Sequence, residues 1–536
     1  MHPTSKSQSL RYAVSGLLAA LTGMAVGHLV AAFVNPAASP VLSVGSTVID
    51  ATPTPVKEWA VQNFGNADKP ILLGSVGLVT ALAAMVIGLV ARKRPSAAGV
   101  LVVLLAGLAG LAAMLRPTAG PVDILPAFAA AVVGAAVLFG LLRLLGSGTT
   151  TAAERSTDSG RASGSSPTPE SPLDHSAQAP GVPSTTGRRN FLLGAAGATV
   201  GAAAVGALGQ KLAAAPTLPS SVALPAPQNT AAALPAGLET KVKGISAFST
   251  PIKEFYRVDT ALVIPRIDVQ TWELEITGDV DKPYTLTFDE LIKMPMIEKH
   301  ITLNCVSNEV GGPYISSTLW QGVLVKDLLE RAGVKSGVDQ ILSESTDGMT
   351  ISTPIEALTD DREAMIAVAM NGEPLPARHG FPARMVTPGL YGFVGATKWV
   401  TKLTATTYAK DEAYWTKRDW LIDGTVKTQA RIDTPRGLAT YKPGKIAIGG
   451  VAWAQRRGIK EVEVRVDDGP WQKATLGPDG GTDYWRQWYW EWDAKSGRHD
   501  LTVRATDGTG EVQTEKRADP FPGGASGYHS IVVLVS

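Results

Sequence analysis

The chain has 536 residues, with 49 Lys+Arg against 48 Asp+Glu, 45% hydrophobic and only 18% charged residues, and a mean hydropathy of +0.10. It is too apolar for an ordinary soluble enzyme and long enough for roughly three units of about 150 residues. A net charge of +1 with no basic stripe argues against a nucleic-acid partner, and a single cysteine, Cys305, excludes an internal disulfide framework and a four-cysteine zinc or iron–sulfur site.

The apolar excess lies before residue 215. Four stretches, Ala13–Val34, Ile71–Ala91, Ala97–Leu115 and Ile124–Leu142, match the roughly 20 apolar residues that cross a hydrocarbon core of about 30 Å. They are rich in Ala, Gly, Leu and Val, which suits close helix packing in lipid. Lys6 and Arg11 precede the first stretch, Arg92-Lys93-Arg94 joins the second to the third, and Arg143, Arg155 and Arg161 follow the fourth. The connections Asn35–Pro70 and Arg116–Asp123 carry fewer basic residues, so the positive-inside rule puts the N-terminus and the segment after the fourth span in the cytoplasm.

From Gly146 to Gly187 the composition of Gly, Ser, Thr, Pro and Ala predicts a disordered linker. It runs into Arg188-Arg189, Phe191-Leu192 and a weakly apolar stretch ending near Gly209. This segment, 188–215, reads either as an internally placed twin-arginine-like export signal or as a fifth span with a basic flank. Both leave everything after Lys211 outside the cytoplasm, and Ala213-Ala214-Ala215 offers a signal-peptidase site. A Pro/Ala-rich tether, 216–240, leads into the polar half.

There the pattern changes to short strands and brief helices. Thr271–Gly278 alternates as a half-buried strand, and Thr287 with Glu290 forms the pattern of a capping box. His300–Val306 reads as a strand, Leu319–Ala332 as a helix stopped by Gly333, and Lys398–Thr406 as another strand. No Gly-rich nucleotide fingerprint is present. The last hundred residues alternate in short runs at Lys445–Trp453, Val462–Val466, Trp485–Trp492, Leu501–Ala505 and His529–Val535, the spacing of a β-sandwich. Trp488, Trp490 and Trp492 fall on one strand face, a stripe suited to a core or a dimer interface.

Cys305 in a strand-like segment reads as a buried small hydrophobe or as a reactive thiolate, which needs a base or a metal beside it. Of the seven histidines, at 2, 28, 175, 300, 379, 499 and 529, His379 lies in NGEPLPARHGFPARMVTPG with Arg378 and Arg384, and Lys398 follows shortly after. That loop suits a phosphate or other anion, or is simply solvated.

Beyond these local readings, the chain from about Phe255 to Ser536 resembles the sulfite oxidase family of molybdopterin oxidoreductases. The resemblance is carried in order by FYRVDTAL (255–262), TWELEITGDVDKPYTLTFDEL (271–291), HITLNCVSNEVGG (300–312), LWQGVLVKDLLERAG (319–333), AMNGEPLPARHGFPARMVTPGLYG (369–392), GATKWV (395–400) and TKRDW (416–420). GGVAW (449–453) resembles the start of the family's immunoglobulin-like dimerisation domain. After the α-helical transmembrane domain (1–145) read from the apolar stretches, the resemblance implies a mixed α/β molybdopterin domain (241–435) and an immunoglobulin-like β-sandwich (436–536).

It also implies a molybdenum–molybdopterin cofactor with Cys305 as the one protein ligand to the metal. His379 then contacts the pterin, Arg384 and Lys398 hold the cofactor phosphate and pterin, Asp347 and Arg257 supply further pterin and active-site contacts, and Arg257 joins Cys305 as a catalytic residue. Glu309 stands where the sulfite-oxidising pattern has an arginine, and Trp420 where it has a tyrosine. The implied reaction is two-electron oxygen-atom transfer outside the cytoplasm, on a sulfur oxyanion or on a sulfoxide or N-oxide. Electrons are exchanged with a separate cytochrome or quinone carrier. Sulfite oxidation proper and a non-catalytic membrane-tethered binding protein are the alternatives.

Overall fold

The structure, a computed structural model, describes residues 4–64, 67–146, 185–213 and 222–536. The linker expected over Gly146–Gly187 lies outside them apart from its helical ends, as do Ala214 and Ala215. The chain divides into two compact units, Met1–Ala215 and Pro216–Ser536.

The first unit is helical: α1 (Thr4–Val34), α2 (Pro40–Ala51), α3 (Thr54–Phe64), α4 (Asp68–Ala91), α5 (Pro95–Met114), α6 (Leu125–Gly146) and α7 (Thr185–Ala213). Among the described residues five helices are long and apolar enough to cross a membrane, and they contain, to within a residue, the four expected spans and the 188–209 segment. Small residues let their backbones meet. A Cβ on Gly16 would lie 2.0 Å from the Ala84 carbonyl oxygen, and one on Gly209 would lie 3.1 Å from the Leu29 backbone. His28 bonds Gln210 at 3.2 Å, which ties α7 to α1. Arg92 donates to Ser9 at one end of the bundle, while Arg116 and Asn35 meet Asp123 at the other. The Asn35–Pro70 connection, expected as a loop, contains α2 and α3. Pro40 at the first helical position pre-sets φ for α2, and its 12 residues are too few to span.

The second unit begins as an extended segment that lies on the domain. Gln228 donates to Met296 O (2.7 Å), Glu298 donates to Asn229 O (2.8 Å), and the His300 ring bonds Ala232 O. The 216–240 tether is therefore docked from residue 222 onward. Next come β1 (Glu273–Gly278), β2 (Tyr284–Thr287), α8 (Phe288–Leu291), β3 (Ile297–Asn304), β4 (Ile315–Leu324) and α9 (Val325–Ala332). They are followed by β5 (Gln340–Ser345), β6 (Thr350–Pro354), α10 (Ile355–Thr359), β7 (Met365–Met370), β8 (Glu373–Pro374), β9 (Arg384–Val386), α11 (Gly392–Gly395) and β10 (Val400–Thr406).

One sheet runs β2-β1-β10-β5-β6, with β1 and β10 parallel, and a second runs β3-β4-β7-β8 with β9 on β7. Leu274, Ile276, Leu328, Leu403, Ile366 and Met385 join both sheets and α9 in a single core. Thr287 and Glu290 form the reciprocal cap of α8, as their spacing predicts. The helix expected over Leu319–Ala332 is a strand up to Leu324. Trp320 and Val323 are fully buried in the middle of a sheet, where a central-strand run looks locally like a helix segment. The helix begins at Val325 and ends, as expected, at Gly333 with φ of 67°.

The C-terminal strands are β11 (Gln429–Thr434), β12 (Thr440–Tyr441), β13 (Gly444–Trp453), β14 (Ile459–Val466), β15 (Gln472–Lys473), β16 (Thr475–Leu476), β17 (Arg486–Ala494), β18 (Gly497–Asp507) and β19 (His529–Val535). They form sheets β11-β13-β17-β16 and β12-β19-β18-β14-β15 around a common core of Trp488, Trp492, Val462, Val503 and Val533. The tryptophan stripe is thus core packing: Trp488 and Trp492 are buried and Trp490 packs against them. β11 precedes residue 436, where a boundary was expected, and its pairing with β13 places it in the sandwich.

Candidate active site

Cys305 sits one residue past the end of β3, on a loop that returns as β4. It is buried and free. Its amide donates to Tyr314 O at 2.9 Å and its carbonyl accepts the Asn308 amide at 3.1 Å, which close the loop. Burial raises the thiol above its ordinary range, while hydrogen bonds from Ser307 and the charge of Lys398 work the other way.

Four other segments converge there. Phe255–Thr260 brings Tyr256, whose amide donates to Ser316 Oγ of β4, and Asp259, whose side chain is 4% exposed. Asp259 accepts from Arg257 Nε at 2.8 Å and from Lys398 Nζ. The Ala377–Arg384 segment brings His379 and Arg384, both buried, and Arg384 Nη1 donates to His379 O at 3.1 Å. A Cβ on Gly380, at φ of 115°, would lie 3.0 Å from Arg384 Cβ and 3.3 Å from Lys398 Cβ, so this glycine lets both cations pack against its backbone. Trp399 beside Lys398 accepts from Thr346 through its carbonyl at 2.9 Å, which draws in the 345–349 turn. In that turn Asp347 accepts from the Met349 amide at 3.3 Å.

The structure therefore brings Cys305, Arg257, His379, Arg384 and Lys398 together and places Asp347 on a bordering turn. Three cations face one carboxylate. Burial lowers Lys398 to about 8, against the opposing pull of Asp259, and lowers Arg384 to about 10. His379 is held down to about 3 by burial and then by Arg384, Arg378 and Lys398, so it is neutral at physiological pH.

Residues 261–415 match the oxidoreductase molybdopterin binding domain. The NADH nitrate reductase 1 of Oryza sativa subsp. japonica is 29% identical over 335 residues, covering 50% of this chain and 36% of that protein. The mitochondrial sulfite oxidase of Homo sapiens is 28% identical over 308 residues, 47% of this chain and 55% of that protein. This chain carries an oxidoreductase molybdopterin binding domain and is similar to nitrate reductase and sulfite oxidase. The crystal structure of the sulfane dehydrogenase SoxCD from Paracoccus pantotrophus aligns with a TM-score of 0.48 and 24% identity, over 55% of this chain and 84% of that one. The chain spans little more than half, or less, of the length of these two curated relatives.

The site fits the cofactor of that domain, molybdenum–molybdopterin. Arg384 Nε, Asn304 Oδ1, Asn308 Nδ2 and Thr387 Oγ1 are buried without a hydrogen-bond partner, which is costly unless something else meets them. The surplus of buried positive charge asks for an anion such as the cofactor phosphate. No group of three or more His, Cys, Asp or Glu able to hold a metal occurs among the described residues. The lone thiol of Cys305 would offer the cofactor's metal a soft sulfur donor.

Sequence reasoning passed over Tyr256, Asp259, Tyr391 and Asn308. Tyr256 and Asp259 lie inside the FYRVDTAL motif, so a signal was present. Tyr391 and Asn308 also lie inside quoted motifs (369–392 and 300–312), but Tyr391 reaches the site only through folding. Burial raises both phenols, Tyr391 to about 12, and the Cys305 thiolate adds to each. Glu309 is exposed, and Trp420 is buried against Phe393, Trp415 and Phe521.

The buried histidines set a pH dependence. His379 falls to about 3 and His529 to about 4, each by burial first, from 6.5 when unfolded. Between those values the unfolded chain binds more protons than the folded one, so stability is fully present above about pH 6.5 and is lost as pH falls toward 4. Thermal melting of the apo chain should drop over that window, and His379→Gln should flatten the slope. An unchanged slope would contradict the burial of a neutral His379.

Proposed function

We propose that this protein is a membrane-anchored enzyme that transfers an oxygen atom to or from a small molecule outside the cytoplasm, with electrons exchanged through a separate cytochrome or quinone carrier. The observation that carries this reading is the lone buried thiol of Cys305 at the end of β3, facing the Arg257, Arg384 and Lys398 cluster. Bound molybdopterin supplies the two-electron couple and the site of oxygen transfer.

In this reading Cys305 Sγ holds the metal, Arg384 and Lys398 bind the cofactor phosphate and pterin, and Arg257 keeps Asp259 oriented toward Lys398. His379, neutral, donates through Nε2 to Ile252 O, which leaves Nδ1 to accept a hydrogen bond from a pterin N–H. Asp347 adds a contact from the neighbouring turn. Tyr256 and Tyr391 stay protonated and can donate to a substrate oxygen near Cys305. These neutral donors, with every nearby cation engaged by Asp259 or the cofactor, favour an uncharged sulfoxide or N-oxide. Sulfite oxidation is the second reading. It is supported by the exposure of Glu309, since solvent screens the repulsion that its charge would exert on an anion.

Antiparallel spans with basic ends on one side support a cytoplasmic N-terminus and an outer catalytic unit. The packing of α7 against α1 supports a retained fifth span more than a twin-arginine-like signal. The two-sheet C-terminal module supports the immunoglobulin-like assignment and, through the family, a homodimer. The test is turnover of the cofactor-loaded full chain with dimethyl sulfoxide or trimethylamine N-oxide and a reduced viologen, set against sulfite and ferricyanide. About one molybdenum per chain with reductive turnover supports the first reading. Sulfite oxidation alone selects the second, and neither, in metal-loaded protein, overturns both. A reporter fused after Leu238 that is active only in the cytoplasm would overturn the topology.

A further inference from the structure

The strand and loop that present Cys305 are held from outside the molybdopterin domain. β3 is an edge strand of its sheet, and an exposed edge is normally covered or blunted. Part of that edge is covered by the sandwich: the Thr302 amide donates to Asp483 O at 2.9 Å, and the Trp485 amide donates to Thr302 Oγ1 at 2.8 Å. The loop that follows, Cys305–Tyr314, is closed internally. Tyr314 N donates to Asn308 Oδ1 at 2.8 Å and Gly312 N to Glu309 O at 2.8 Å.

Two sandwich side chains then fix where this closed loop sits. Arg431 of β11, 9% exposed, donates through Nη1 to Gly312 O at 2.7 Å. Its other nitrogens are committed to Asp433 Oδ1 at 2.7 Å and Ser246 Oγ at 3.0 Å, so the guanidinium cannot swing away. His529 of β19 accepts the Ile432 amide through Nδ1 at 3.0 Å, which leaves the proton on Nε2. Its ring lies flush on Gly311, at φ of 81°: a Cβ there would come within 2.3 Å of Cδ2 and Nε2.

We infer that Arg431 and His529 are positioning residues for the metal-ligating thiol: the C-terminal sandwich, beyond any role in association, sets the place of Cys305. The inference rests on the reading of Cys305 as the metal ligand. The physical reason is that a ten-residue loop closed only on itself can move as a body, and one charge-assisted bond plus one flat contact from a rigid sheet remove that freedom.

The chain's single cysteine makes the test specific. Full-length protein in detergent, prepared without cofactor, is labelled with iodoacetamide, and cofactor-loaded protein is reduced with dithionite for its Mo(V) electron paramagnetic resonance spectrum. Arg431→Gln and His529→Ala should each speed Cys305 labelling roughly tenfold or more, the scale of one lost charge-assisted bond or buried contact. Both should also shift or broaden the Mo(V) spectrum, with Arg431→Lys intermediate. Val462→Ala, which loosens the sandwich core alone, should label like the unmodified chain. If Arg431→Gln does not fold, His529→Ala carries the test. Unchanged labelling and spectra in the folded variants would overturn the inference, as would equal acceleration by Val462→Ala. Absence of molybdenum from the unmodified loaded chain would instead sink the ligand reading, and the labelling result would still decide whether the sandwich holds the loop.

Discussion

Replacing Cys305 by serine is expected to cut turnover at least about a hundredfold, beyond what loss of an outer-shell partner costs at a metal site. Serine keeps the size of the side chain and its place past β3, so the loop closed by Tyr314 and Asn308 should persist. What changes is the donor, from a soft, polarizable thiolate to a hard oxygen that must lose a far less acidic proton. The part of the sulfur-to-metal charge-transfer absorption that comes from the cysteine should vanish, and titratable thiol should fall from one per chain to none. A variant that keeps full molybdenum, full turnover and the same absorption would show that the metal is held without Cys305.

The second large effect is expected at Asp259. Its carboxylate, almost inaccessible, meets Lys398 and Arg257 at once, and Arg384 lies close enough to feel it. Asp259→Asn keeps the shape and removes the charge, leaving buried cations uncompensated. Breaking a buried pair in this way costs about 3–5 kcal/mol. Lys398, already lowered to about 8, can shed its proton, so the loss should be largest well below that pH, where it stays charged. The apo chain should melt markedly lower at pH 6 than the unmodified protein, with a smaller gap at pH 9. Loading the cofactor should close much of the gap, since its phosphate brings the missing negative charge. A gap that is the same with and without cofactor would mean that the phosphate does not lie against these cations.

The prediction at Asp259 also shows where sequence reasoning stops. Asp259 stands two residues from Arg257 in a motif that was read, yet Lys398, 139 residues away, is what makes it important. Tyr391 is a comparable case: it lies in a quoted motif, but its proximity to Cys305 appears only once α11 and the Cys305 loop are folded together. The sandwich contacts at Gly311 and Gly312 come from residues more than a hundred positions downstream.

By itself the sequence determined what depends on neighbours along the chain. The length and apolarity of five helices, the Thr287–Glu290 cap, the Gly333 stop, most strand positions of the sandwich, and the ordered motifs that mark the family and single out Cys305, His379, Arg384 and Lys398 are all of this kind. Tertiary structure alone decided the rest. It made Ile315–Leu324 a central strand where the local pattern suited a helix, laid residues 222–240 along the domain, gathered three cations around one carboxylate, and set the sandwich against the Cys305 loop. The division has a physical cause. Hydrophobic period, caps and turns act over a few residues, whereas burial, unpaired polar atoms and shifted protonation arise only when distant segments exclude water together.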